Sequence, residues 1–246
     1  MREFQGSLSM LKNVNILRYL MRGVAFTLII SAVAVLIGIV FGYILAIVRN
    51  YLSHGKYAVL GKLAAVYIEV FRNTPLLLWI FICLVFVQTP KVFQIPMMGL
   101  SSVESGLLFK GIVALTFFES SNIAEIVRGG LNAIPKGQFE AGYSQGFSAP
   151  AVMVHIILPQ VYHKIVPTLL GQVITTIKDS SYIANIAVIE LMARTRQVLS
   201  GAWQYNGLNQ VNVTDVFVLF GFAFLIYFVI DFALSLIVRR TQKKIA

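Results

Sequence analysis

Residues 140–159 read EAGYSQGFSAPAVMVHIILP, and the organisation of the chain can be worked out from them. The stretch is polar and glycine-punctuated, and it lies between apolar runs long enough to cross a bilayer. Pro135 and Gly137 mark the break that precedes it. Phe139 to Gln145 are expected to make one or two helical turns, closed by Gly146 in the left-handed conformation that glycine adopts without strain. After Pro150 a second short helix is expected to climb toward Leu158 and Pro159. The predicted element is a helix-turn-helix presenting Phe139, Tyr143 and Phe147 as knobs. Taken alone, the same residues also fit an ordinary amphipathic connector.

The rest of the composition belongs to a membrane protein. Hydrophobic residues make up 58% of the 246 and charged residues 12%, with a mean hydropathy of +0.80. A soluble core of this size has no room for so large an apolar share, so part of it must face lipid. The net charge of +10 reads as contact with anionic headgroups and as cytoplasmic loops. Its basic residues are scattered over short loops rather than stacked on one face, which speaks against nucleic acid. Cys83 is the single cysteine and reads as a small buried hydrophobe. The first apolar run is longer than a signal-peptide core and lacks a cleavage site, so it is expected to be a retained span.

About five spans are expected from the roughly 20 residues that a helix needs to cross the hydrocarbon. They run from about Val24 to Val48, Val59 to Val87, Leu107 to Val127, Ile165 into the 180s, and Val216 to Val238. Residues 1–22 form an extracytoplasmic or interfacial segment, 23–240 a single transmembrane domain, and 241–246 a cytoplasmic tail. Within 8–22, Leu8, Leu11, Ile16, Leu17 and Leu20 alternate with Lys12, Arg18 and Arg22. That pattern suits a short interfacial helix or a lead-in to the first span. Gly38 and Gly42 form a GxxxG pair suited to close helix packing. Five spans place the termini on opposite sides, and Arg239, Arg240, Lys243 and Lys244 favour a cytoplasmic C-terminus. Loop charges alone, ten inside against eight outside on that assignment, discriminate poorly.

A polar stripe marks the fourth span. Gln172, Thr175, Thr176 and Asp179 fall at i, i+3, i+4 and i+7 and share one helical face, with Ser180 following. At membrane depth such groups must face protein or water. Arg72 sits beside the helix-weakening Thr74-Pro75 step of the second span. Arg72 and Asp179 could meet the carboxylate and ammonium of a zwitterion, or pair with each other or with backbone and only hold the fold. Glu69, Glu119, Glu125, Glu190 and Asp231 read as interfacial or structural. No GxxxxGK[ST] or HExxH pattern occurs, and His54, His155 and His163 do not suggest a metal site.

Glu140, Ala141, Gly142, Gly146, Ile156, Leu158 and Pro159 together resemble the EAA loop of ATP-binding-cassette importer permeases, whose pattern is EAA, three residues, G, nine residues, I-x-LP. Gly142 departs from it, standing where that family usually has a second alanine. Phe71 to Leu77 (FRNTPLL), Ala124 to Gly130 (AEIVRGG), Ala133 to Gln138 (AIPKGQ) and Ile177 to Ser181 (IKDSS) are similar to the polar amino-acid branch of these importers. Trp79, Asn122 and Tyr182 depart from its usual Gln, Tyr and Leu. The resemblance implies an all-α type I importer permease fold in a bacterial-type cell membrane, with the N-terminus outside. It implies that Phe139, Glu140, Ala141, Gly142, Tyr143 and Gly146 couple to a cytoplasmic ATPase. It also implies that Arg72, Thr74, Gln172, Thr175, Asp179 and Ser180 contact a polar amino acid. The implied partners are two ATP-binding subunits, an extracytoplasmic solute-binding protein and a second permease subunit, with a heterodimer favoured by the departures. ATP and Mg would sit on the ATPases; this chain would bind no cofactor and no metal and catalyse nothing itself. A permease of another small solute in the same importer class is the nearest alternative; a membrane-bound enzyme using Asp179 and Glu residues as acid–base groups, or a channel lined by Gln172 to Asp179, are the alternatives from other classes.

Overall fold

Asn13 separates the first two helices. Its side-chain oxygen accepts the Asn15 N–H at 3.0 Å and its carbonyl accepts the Leu17 N–H at 2.9 Å, the geometry of an N-cap. Residues 8–22 are therefore divided between two helices rather than forming one. The computed structural model describes residues 2–53, 55–207 and 210–245, and His54 lies outside them. Ten α-helices occur among the described residues: α1 (Arg2–Lys12), α2 (Val14–Tyr51), α3 (Ala58–Arg72), α4 (Leu76–Phe86), α5 (Ser102–Asn132), α6 (Lys136–Ser144), α7 (Ala149–Val152), α8 (Leu158–Asp179), α9 (Leu191–Ser200) and α10 (Val213–Ile245).

Three of these helices are long and apolar enough to cross a membrane: Val14–Tyr51, Ser102–Asn132 and Val213–Lys243. The predicted second span is not one helix, since α3 and α4 are separated at Asn73–Pro75. Pro75 offers no backbone N–H and biases Thr74 away from the helical region. The carbonyls left at the end of α3 find local donors, Thr74 Oγ to Val70 O at 2.6 Å and Asn73 Nδ2 to Glu69 O at 2.8 Å. The predicted fourth span begins earlier than expected, at Leu158, and its 22 residues carry the polar stripe. A single π turn, Met153–Ile157, leads into it. Pro159 cannot donate to the carbonyl four residues back, and widening of the preceding turn accommodates that loss. At the start of α5, Ser101 and Glu104 form a reciprocal capping box, with bonds of 2.7 and 3.3 Å.

The chain forms two compact units. The first comprises residues 1–33, 76–115 and 176–233. Its core joins Met10, Ile16 and Leu20 to Val198, Ala202 and Leu219, with Val24, Leu191 and Ala223 in a second cluster. Cys83 is buried in α4, as a small hydrophobe should be. Lys110 Nζ donates to the Leu84 carbonyl at 2.6 Å and so caps the end of α4. Buried Asp215 accepts from Ser7 Oγ at 2.6 Å, Asn206 Nδ2 at 2.8 Å and the Asn212 N–H at 2.9 Å. Buried Glu190 caps α9 through the Ala193 N–H at 2.7 Å and accepts from Tyr227 Oη at 3.0 Å.

The second unit comprises residues 34–75, 116–175 and 234–246. Its core is built from Ala46, Ile68, Ile123, Ala124, Val127, Leu131, Ile134, Val152, Ile157, Val161 and Ile165. The GxxxG pair lies at the α2–α5 contact. A Cβ on Gly42 would stand 2.7 Å from Ile123 Cγ2 and 3.0 Å from the backbone nitrogen of Ala124. Gly38 is looser, its nearest neighbour being Glu119 Cβ at 3.3 Å. Gly42→Ala is therefore expected to destabilise by about 1–3 kcal/mol through overpacking, and Gly38→Ala by less. The thermal unfolding midpoints of the two variants in detergent check the order; an unshifted Gly42→Ala would contradict the packing.

Candidate functional site

The 136–152 segment is an exposed helix-turn-helix whose shape is fixed at its turn. Gly146 has φ +81°, its N–H donates to Tyr143 O at 2.9 Å, and the Phe147 N–H reaches Gly142 O at 3.2 Å. These two bonds are the Schellman closure of α6. Ser148 is extended and Pro150 lies in the first turn of α7, where a missing N–H costs little. Gly142 is buried, and a Cβ there would lie 2.8 Å from Val152 Cγ2 and 3.0 Å from Ile156 Cδ1. Its place in the pattern thus follows from the tight approach of α6 to the following segment. Phe139 corrects the sequence reading: it packs partly buried against the unit's core and anchors α6 from behind. Tyr143 and Phe147 remain the outward knobs, 50% and 42% exposed, beside exposed Glu140 and Ala141. Lys164 Nζ caps the preceding α5 end through Ala133 O at 2.8 Å, and Gln160 Nε2 donates to Gln138 Oε1 at 2.9 Å.

Arg72 belongs to an ionic cluster in the same unit. Glu125 stands at its centre: Arg128 Nε donates to both carboxylate oxygens at 3.0 and 2.9 Å, and Arg128 Nη2 also bonds Oε1. Arg49 approaches Glu125 at 3.3 Å and Arg72 at 3.7 Å, while Arg49 also holds Glu69 at 2.8 Å. The Glu125–Arg128 spacing, i and i+3 on a helix, was visible in the sequence. The arginines brought in from α2 and α3 were not. Thr74 Oγ is committed to the Val70 carbonyl.

Gln172 and Thr175 on α8 belong to the second unit, whereas Asp179 at its end and Ser180 after it belong to the first. Gln172, Thr175 and Asp179 are partly exposed, whereas Thr176 and Ser180 are buried. Ser180 Oγ donates to Ile177 O at 2.7 Å, which turns its hydroxyl back onto the helix. Gln172 Nε2 donates to Glu119 Oε2 at 2.8 Å, and Glu119 on α5 is fully buried. Sequence reasoning set Glu119 aside as structural or interfacial. Its position near the middle of a spanning helix is the signal that could have singled it out. His155 lies in the π turn and His163 on α8, and no cluster of three or more metal-ligating side chains occurs among the described residues.

Residues 38–245 match the family described as the binding-protein-dependent transport system inner membrane component. The chain belongs to this family. As an inner membrane component it is a transport subunit rather than an enzyme, a multi-pass membrane protein that works with ATP-binding and solute-binding partners. Among similar curated proteins, the probable glutamine ABC transporter permease protein GlnP of Bacillus subtilis is 33% identical over 226 residues, covering 92% of this chain and 93% of that one. The glutamate/aspartate import permease protein GltK of Escherichia coli is 32% identical over 233 residues, covering 94% and 95%. The arginine transport system permease protein ArtQ of Bacillus subtilis is 30% identical over 229 residues, covering 92% of each. Among solved structures, an amino acid ABC transporter with histidines superposes with a TM-score of 0.70 at 26% identity, covering 94% of this chain and 98% of that one. The inner membrane component thus has the all-α type I importer permease fold expected from its sequence.

Proposed function

We propose that this chain is the permease subunit of an ATP-binding-cassette importer for a polar amino acid. The observation that carries the cargo class is similarity over more than nine-tenths of the chain to permeases named for glutamine, glutamate/aspartate and arginine. The exposed turn at Glu140 to Phe147 is the surface on which the ATPase docks, with Tyr143 and Phe147 inserted and Glu140 and Ala141 alongside. That docking makes the turn cytoplasmic, together with the basic end of α10 at Arg239, Arg240 and Lys243, and it places the N-terminus outside. Closure of the two ATPases around ATP and Mg drags this turn and alternates access to the cargo. The chain itself holds no cofactor. The second permease subunit is a different chain, with which this one forms a heterodimer.

In this reading Arg72, Thr74, Gln172 and Thr175 contact cargo within the second unit, and Asp179 and Ser180 contact it within the first. Asp179 carries the most weight, because it presents a partly exposed carboxylate within the first unit. Asp179→Asn is expected to raise the KM for uptake roughly tenfold by removing one charge-assisted bond to an ammonium. The assembled transporter in proteoliposomes, supplied with MgATP, binding protein and radiolabelled glutamine, glutamate and arginine, provides the test. ATP-driven uptake of at least one of the three is expected. Absence of all three from an assembly that hydrolyses ATP would remove the cargo assignment, and an unchanged KM would return Asp179 to a structural role.

A further inference from the structure

Glu119 does not fit a merely structural part. It lies near the middle of α5, is fully buried, and is flanked by serines whose hydroxyls bond back to their own helix, Ser120 to Phe117 O and Ser121 to Phe118 O. A carboxylate at that depth persists only where a neighbouring helix supplies a donor. Gln172 of α8 supplies one, with Nε2 at 2.8 Å from Glu119 Oε2. With Nε2 donating to Oε2, the amide turns its NH2 edge toward Glu119. The amide plane of the partly exposed Gln172 side chain is thereby held in one orientation.

From this geometry we infer that Glu119 is a positioning residue for cargo selection, acting through Gln172. The inference rests on the reading of α8 as the cargo-contacting face. A glutamine at position 119 can donate as well as accept, so it no longer dictates which way the amide of Gln172 faces. In the assembled transporter, Glu119→Gln is expected to raise the KM for the best-transported of radiolabelled glutamine, glutamate and arginine roughly tenfold. The maximal uptake rate should change less than about twofold, because the docking turn is untouched.

The exchange E119Q/Q172E separates positioning from support. It rebuilds an amide–carboxylate bond between the two helices but stands the carboxylate on α8. The unfolding midpoint of the exchange variant should match the wild-type value, above that of Glu119→Gln alone, while the KM for glutamine stays raised and preference moves toward arginine. An exchange variant that regains both midpoint and wild-type selectivity would show that Glu119 only supports the fold. An unchanged KM in Glu119→Gln would overturn the inference directly, provided Gln172→Ala raises it. If Gln172→Ala also leaves KM unchanged, the cargo reading of α8 is what fails.

Discussion

Gly146→Val is expected to lower ATP-driven uptake at least tenfold while leaving the membrane helices folded. At φ +81° a β-branched side chain meets its own backbone, which costs roughly 1–3 kcal/mol. The chain relieves that strain by giving up the bonds from Gly146 N–H to Tyr143 O and from Phe147 N–H to Gly142 O. Both bonds lie in the exposed turn, and a Cβ on Gly146 meets nothing within 4 Å, so the damage stays local. Phe139 and Gly142 still hold the base of α6 against the core, but Tyr143 and Phe147 lose their common direction. Co-purification of the ATPase with the variant should fail even though its unfolding midpoint moves little. Gly146→Asn, which tolerates the left-handed conformation, should retain much of both. Wild-type ATPase association in Gly146→Val would show that the turn's shape is irrelevant to docking.

Glu125→Gln should give the largest loss of stability among single polar changes in the second unit. One carboxylate holds Arg128 through both oxygens and faces Arg49 and Arg72 at 3.3 and 3.7 Å. Without its charge, guanidinium groups from α2, α3 and α5 repel one another, and only Glu69 remains beside Arg49. Charge-assisted hydrogen bonds contribute about 1.5–3 kcal/mol, so a destabilisation of that order is expected. The groups are 21–37% exposed, so salt reaches them. Raising the ionic strength should therefore narrow the gap in unfolding midpoint between variant and wild type. A gap independent of salt would mean that the cluster acts by shape rather than charge.

Local chemistry was legible in the sequence, and long-range pairing was not. Pro135, Gly146 and Pro150 act on their immediate neighbours, so the helix-turn-helix at 136–152 could be read from them. Thr74-Pro75 announced a weak point, yet the apolar residues on both sides carried the reading across it as one span. The break followed because Pro75 removes a donor, whatever the hydropathy around it. Gly142 looked like a flexible substitute for alanine; only the approach of Val152 and Ile156 shows that there is no room for a methyl group. Phe139 was read as a knob because its helix face cannot be assigned before the core is known. Glu119 and Gln172 lie 53 residues apart, and nothing local in either segment encodes their bond.

The bond between Ser7 and Asp215 has a consequence for how this protein is made. The partners are separated by 208 residues, so the first helix cannot complete its contacts until the last one has emerged. At about 5–20 residues per second, synthesis leaves Ser7 waiting roughly 10–40 s for Asp215. Through that interval Ser7 lacks its acceptor on Asp215. A chain cut short before α10 never gains the bond that ties its first helix to its last.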